Sequence, residues 1–75
     1  MDGMMKYSAE KMRLGMRISY LRNKAGLSQS KLAMAVGVHR PTINQIESGR
    51  ANPQLETLAR IAQGIGVEVE DLFKD

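Results

Sequence analysis

Apolar positions recur at intervals of three and four along nearly the whole chain, a spacing that predicts helices and no strand, and hence an all-α domain. From Ser8, a predicted N-cap, Leu14, Ile18, Leu21 and Ala25 form one inward stripe, and Gly26 ends the helix at the position where a left-handed residue is favoured. Ser28 is placed to cap a second, short helix in which Leu32, Ala33 and Val36 face inward and Gly37 closes the last turn. A third helix follows at once. Ile43, Ile46 and Glu47 share its inward phase, Pro41 is tolerated in its first turn, and Gly49 stops it. Asn52 and Pro53 read as N-cap and first residue of a fourth helix with the stripe Leu55, Leu58, Ile61, Ala62 and Ile65, ended by Gly64 and Gly66. Beyond Val67 a short fifth helix is expected, with Glu70 and Asp71 at the positive end of its dipole and Leu72 and Phe73 as anchors. Residues 1–7, which hold three methionines and a glycine without period, read as a flexible arm in which Met4 and Met5 are alternative starts.

The length of 75 residues allows one core, so residues 8–75 form a single domain, and a domain of this size gains from a partner subunit. Only Tyr7, Tyr20 and Phe73 are aromatic, so that core is aliphatic. The six methionines, Met12, Met16 and Met34 among them, read as core or interface filler. With no cysteine and one histidine, His39, the chain lacks the material for a thiolate cluster, a multi-histidine metal site or a cysteine nucleophile. Ser28, Ser30 and Ser48 have no triad partners, so no enzyme and no cofactor are expected. The longest apolar run, Leu32 to Val38, is far too short to span a membrane, and the N-terminus is not laid out as a signal peptide, which together predict a cytoplasmic protein.

Charge divides the chain. Residues 1–50 carry nine Lys or Arg against three acids, a net +6, whereas residues 51–75 carry two against five, a net −3. That asymmetry points to a polyanion-binding face separate from a second surface. Two short helices joined across a glycine form a helix-turn-helix, in which Ala33 permits a close crossing and Gly37 a positive φ. With Ile43, Ile46 and Glu47 inward at about 100° per residue, Pro41, Gln45 and Ser48 occupy the opposite arc, Asn44 its flank, and Arg40 projects from the helix start. Arg bonds guanine O6 and N7 bidentately, and Asn or Gln bonds adenine N6 and N7, so the set suits base edges. Arg50 and Ser48 flank it as phosphate contacts. An inward Glu47 requires a partner.

The string Gly26-Leu27-Ser28-Gln29, Leu32-Ala33, Gly37-Val38, Thr42-Ile43, Ile46-Glu47, Gly49, Pro53, Leu58, Ile61-Ala62, Gly66-Val67 and Leu72-Phe73 resembles the Cro and lambda-repressor-like helix-turn-helix regulators, also known as the xenobiotic-response-element family. The likeness runs from about Leu14 to Phe73, with Arg17-Ile18 and Leu21-Arg22 matching the first helix. It implies a five-helix domain that binds double-stranded DNA as a homodimer on a palindromic operator. It further implies that Arg40 and Pro41 face bases, that Gln29 grips a phosphate, with His39 and Thr42 beside it, and that Glu47 pairs with Arg22. His39 and Glu68 stand where Ser or Thr often caps helices 3 and 5, which weakens the first cap and leaves the fifth helix looser. Ile65, Val69, Leu72 and Phe73 are the expected dimer surface. The resemblance fits a repressor-like regulator; a restriction-modification controller and an antitoxin-type protein-interaction module are the alternatives. RNA is disfavoured because exposed aromatic residues for stacking are scarce.

Overall fold

The computed structural model describes residues 7–74. Four α-helices, α1 (Ser8–Lys24), α2 (Gln29–Val36), α3 (Arg40–Glu47) and α4 (Leu55–Ile65), precede a 3-10 segment, Val69–Phe73, and no strand forms among the described residues. The expected arm lies outside the described residues apart from Tyr7. α1 meets α3 and the 3-10 segment, α4 meets α2 and the 3-10 segment, and α2 packs on α3. Ile18, Leu32, Ile43, Ile61 and Leu72, one or more from every element, are fully buried at the centre. At roughly 1.5 to 3 kcal/mol for each such aliphatic side chain, this cluster is the main source of stability in so short a chain.

Where helices start and stop, local chemistry decides most cases. The Ser28 hydroxyl accepts the Lys31 N–H at 3.0 Å and caps α2. Gly26, Gly37, Gly49 and Gly66 all take positive φ at the ends of their helices. Three expected boundaries differ. Ser8 lies inside α1, and Tyr7, at φ 66°, takes the cap position. Asn52 and Pro53 do not open α4, which begins at Leu55 after Gln54; they line a groove against α1 instead. Gly64 sits inside α4 rather than ending it.

Several apolar residues expected inside are outside. Ala25 and Leu55 are exposed, because the stripes of α1 and α4 are narrower than their apolar content suggests. Met12, Met16 and Met34 are exposed as well, so none of the three fills the core. The buried arc of α1 is occupied by Gly15, Ile18 and Arg22. Gly15 touches α3 closely: a β-carbon there would stand 2.5 Å from the carbonyl oxygens of both Ile46 and Glu47.

The terminal segment is firmer than expected. The Asp71 carboxylate accepts the Glu68 N–H at 2.9 Å and the Lys74 ammonium at 2.8 Å. First Lys74, then the Glu68 N–H, hold the Asp71 carboxyl below its ordinary pKa. Arg17 Nε donates to the Asp71 carbonyl at 2.8 Å and ties the segment to α1. Glu68 at the cap position therefore does not leave the segment loose.

Candidate nucleic-acid interface

Three residues, Gly37, Val38 and His39, join α2 to α3. Gly37 at φ 83° and Val38 both donate their N–H to the Ala33 carbonyl, at 2.9 and 3.0 Å, so the turn is closed by the backbone itself. Buried Ala33 lets the helices cross closely. His39 stands at the N-cap of α3 without a side-chain cap bond, as its chemistry predicts, and the Thr42 N–H donates to its carbonyl at 2.9 Å. Ile43 and Ile46 are buried beneath α3. Arg40, Pro41, Gln45 and Ser48 are exposed on its other side, with Thr42 and Asn44 half-buried at the edges. The outward arc expected for α3 is thus brought together on one surface.

Glu47 holds that surface in place. Arg22 of α1 grips its carboxylate with two donors, Nε to Oε2 at 2.6 Å and Nη2 to Oε1 at 2.9 Å. The two side chains are only 10% and 6% exposed. Arg22 Nη1 also donates to the Leu27 carbonyl at 2.8 Å, so the guanidinium fastens α1, the α1–α2 turn and α3 together. The hydrogen bond to Glu47 raises the Arg22 pKa, overcoming the opposing effect of burial. Gln29 Nε2 gives Glu47 Oε1 a further hydrogen bond at 3.0 Å. One of the two amide hydrogens of Gln29 is therefore committed to the scaffold.

At the far end of α3 the Ser48 hydroxyl donates to the Gln45 carbonyl at 3.2 Å and accepts from Arg50 Nε at 3.0 Å. Arg50 N–H also donates to the Gln45 carbonyl, at 2.9 Å, so the exposed Arg50 is braced at both its backbone and its Nε. Ser48 supports a cation rather than standing alone at the surface. Sequence reasoning missed Gly15 and Arg17 as parts of the frame. Gly15 lies three and seven residues before Ile18 and Arg22, on the inward face, and a glycine in that phase was the available signal.

Among the expected dimer residues, Leu72 is completely buried within its own subunit and offers no surface to a partner. Phe73 is exposed, and Ile65 and Val69 are half-buried. Among the described residues, no group of His, Cys, Asp or Glu is arranged to hold a metal ion, and no helix is long and apolar enough to cross a membrane.

Two short helices held at a glycine turn, with one exposed polar face on the second, define the class of helix-turn-helix domains. A family model described as helix-turn-helix matches residues 18–72. An HTH-type transcriptional regulator of Archaeoglobus fulgidus is 44% identical over 57 residues, covering 76% of this chain and 81% of that one. Control protein C.BamHI of Bacillus amyloliquefaciens is 35% identical over 60 residues, 79% and 74% of the two chains. The solved structure of the restriction-modification controller protein C.AhdI from Aeromonas hydrophila superposes with a TM-score of 0.85 at 32% identity, over 87% of this chain and 98% of that one. The chain belongs to the helix-turn-helix family of DNA-binding transcriptional regulators.

Proposed function

We propose that this protein is a sequence-specific, repressor-like transcriptional regulator that works in the cytoplasm as a homodimer on a palindromic operator in double-stranded DNA, without a cofactor. The observation that carries this reading is the two-sided character of α3: Ile43 and Ile46 anchor one side, while Arg40, Pro41 and Gln45 stand exposed on the other. Arg40, Asn44 and Gln45 read base edges in the major groove, and Pro41 meets a thymine methyl. Gln29, His39, Thr42 and Arg50, with Ser48 behind it, fix the register on phosphates. The exposed Phe73 with half-buried Ile65 and Val69 forms the dimer contact.

Gln45→Ala is expected to remove about 1 to 3 kcal/mol of discrimination at one base pair of each half-site, and Arg40→Ala the same at a different pair. Folding and non-specific binding stay near the parent. Competition titrations with single-base operator variants measure this, after the operator has been obtained by selection from random duplexes. Retention of the parent's base preferences by both mutants would remove α3 as the reader.

Arg50→Ala separates positioning from reading. All sequences are expected to bind more weakly by a similar factor, and the slope of log K against log salt should flatten by about one unit. A changed consensus instead would place Arg50 among the base readers.

Likeness to C.AhdI over 98% of that chain favours a second, narrower reading, a controller of restriction-modification genes. Adjoining endonuclease and methyltransferase genes, and binding upstream of them, are its test. Their absence leaves the broader regulator.

A further inference from the structure

The inward side of α1 faces α3 through Gly15. At about 100° per residue, Met16, Tyr20, Arg13, Lys24 and Arg17 fall between about 100° and 200° round the helix from that contact, on the side turned away from α3. Met16 is 67% and Tyr20 53% exposed. Arg17 and Lys24 lie over the Tyr20 ring, 5.6 and 5.7 Å from its centroid, so two cations attend the one ring. An open groove of about 440 Å³ is lined by Arg13, Met16, Arg17, Tyr20 and Lys74. None of these residues serves the reading surface on α3.

We propose that this outer face of α1 docks an acidic protein segment carrying a large apolar anchor. The charge of the face selects the partner. Arg13, Arg17 and Lys74 line the groove and Lys24 lies over its tyrosine; Lys74 is paired with Asp71 and has Glu70 nearby, and Glu10 stands beside Arg13, so the excess positive charge of the face rests on Arg13, Arg17 and Lys24. An aromatic ring, a methionine and arginines grouped together are the side chains enriched at protein interfaces. The thioether and phenol ring that line the groove give duplex DNA little to bind, and two apolar side chains are a small purchase on a lipid surface. Arg17, fixed by its bond to the Asp71 carbonyl, and the braced Tyr20 ring lose little freedom on binding, which favours affinity. Because the face is turned away from α3, a docked partner and DNA can be held together, so far as the DNA-reading role proposed for α3 is correct.

The probe is a synthetic amphipathic helical peptide with glutamates around two leucines, titrated into the isotopically labelled full chain while backbone amide resonances are followed. Shifts are expected to concentrate at Arg13, Met16, Arg17, Tyr20, Lys24 and Lys74. Serine in place of the leucines, Met16→Ser with Tyr20→Ala, and Arg13→Gln with Lys24→Gln should each weaken binding by about tenfold. Binding to a random-sequence duplex should stay within about twofold of the parent in both double variants, whose altered side chains lie outside the proposed DNA contacts. Shifts centred on α3, or equal binding of the serine peptide, overturn the proposal. So does stronger binding of phosphatidylserine vesicles than of the peptide. If Arg13→Gln with Lys24→Gln weakens duplex binding as much as Arg50→Ala does, the face belongs to the DNA footprint and the docking proposal fails while the regulator reading stands. If instead Arg50→Ala leaves binding to every duplex untouched and Gln45→Ala keeps the parent's base preferences on the selected operator, the regulator reading fails and the peptide data still decide the docking surface.

Discussion

Glu47→Ala is expected to cost about 3 to 5 kcal/mol of folding stability, and Arg22→Ala a similar amount, because each leaves a nearly buried charge without its partner. The Arg22 guanidinium would lose both bonds of its fork, at 2.6 and 2.9 Å, and keep the Leu27 carbonyl as its principal acceptor. Loss of Arg22 would strand the carboxylate with only the Gln29 amide at 3.0 Å. A chain of 75 residues at roughly 0.05 to 0.15 kcal/mol per residue has about 4 to 11 kcal/mol in total, so either variant approaches unfolding. Urea denaturation at neutral pH measures the loss. Arg22→Leu combined with Glu47→Leu should be less damaging than either alanine variant, since no charge is then left buried. If Glu47→Ala unfolds at the parent's midpoint, the carboxylate is solvated and the pair does not hold α3 to α1.

That pair was legible in two parts: a charged residue in the inward phase of α3 calls for a counter-charge, and the family resemblance, not the helix spacing, pointed to Arg22 as its source. The α2–α3 turn was legible for a local reason too, as Ser28, Ala33 and Gly37 each suit one backbone requirement. Leu72 and Phe73 were not separable. In a 3-10 segment residues three apart eclipse, so Leu72 shares the side of Val69 and goes inward while Phe73 turns out, but five residues show no period that reveals this. Asn52 and Pro53 form a good local helix start, yet both stay outside the helix and line a groove shared with α1, and the helix opens two residues later at Leu55. Met12 and Met16 lie outside because Gly15, Ile18 and Arg22 take the buried arc of α1, a choice that depends on a helix some thirty residues away. Periodicity reports which residues are apolar. It does not report how near the neighbouring backbone comes.

That distance makes Gly15 the second critical position. In an exposed helix, alanine in place of glycine is favourable by about 1 kcal/mol, through the lower backbone entropy of the unfolded chain and better helix propensity. At Gly15 the added methyl would overlap two carbonyl oxygens at 2.5 Å and the Glu47 carbonyl carbon at 2.8 Å, all of them backbone atoms that no rotamer change can move. Overlap of this kind outweighs the propensity gain, and Gly15→Ala is expected to destabilise the fold by about 3 kcal/mol. The relief available, a displacement of the C-terminal end of α3, would break the Arg22–Glu47 geometry and move Gln45 and Arg50, so DNA binding should fall further than the fraction of folded protein explains. Gly64→Ala is the control. It lies inside α4 and its methyl would meet the Leu32 Cδ1 atom at 3.1 Å, a side-chain atom that has to give by only a few tenths of an ångström even within the core, so the effect should stay within about 1 kcal/mol of zero. Urea midpoints of the two variants, with duplex titrations of the folded protein, distinguish the positions. Equal midpoints for Gly15→Ala and the parent would mean that α1 and α3 do not approach as closely as 2.5 Å requires, and that the height of α3 is set elsewhere.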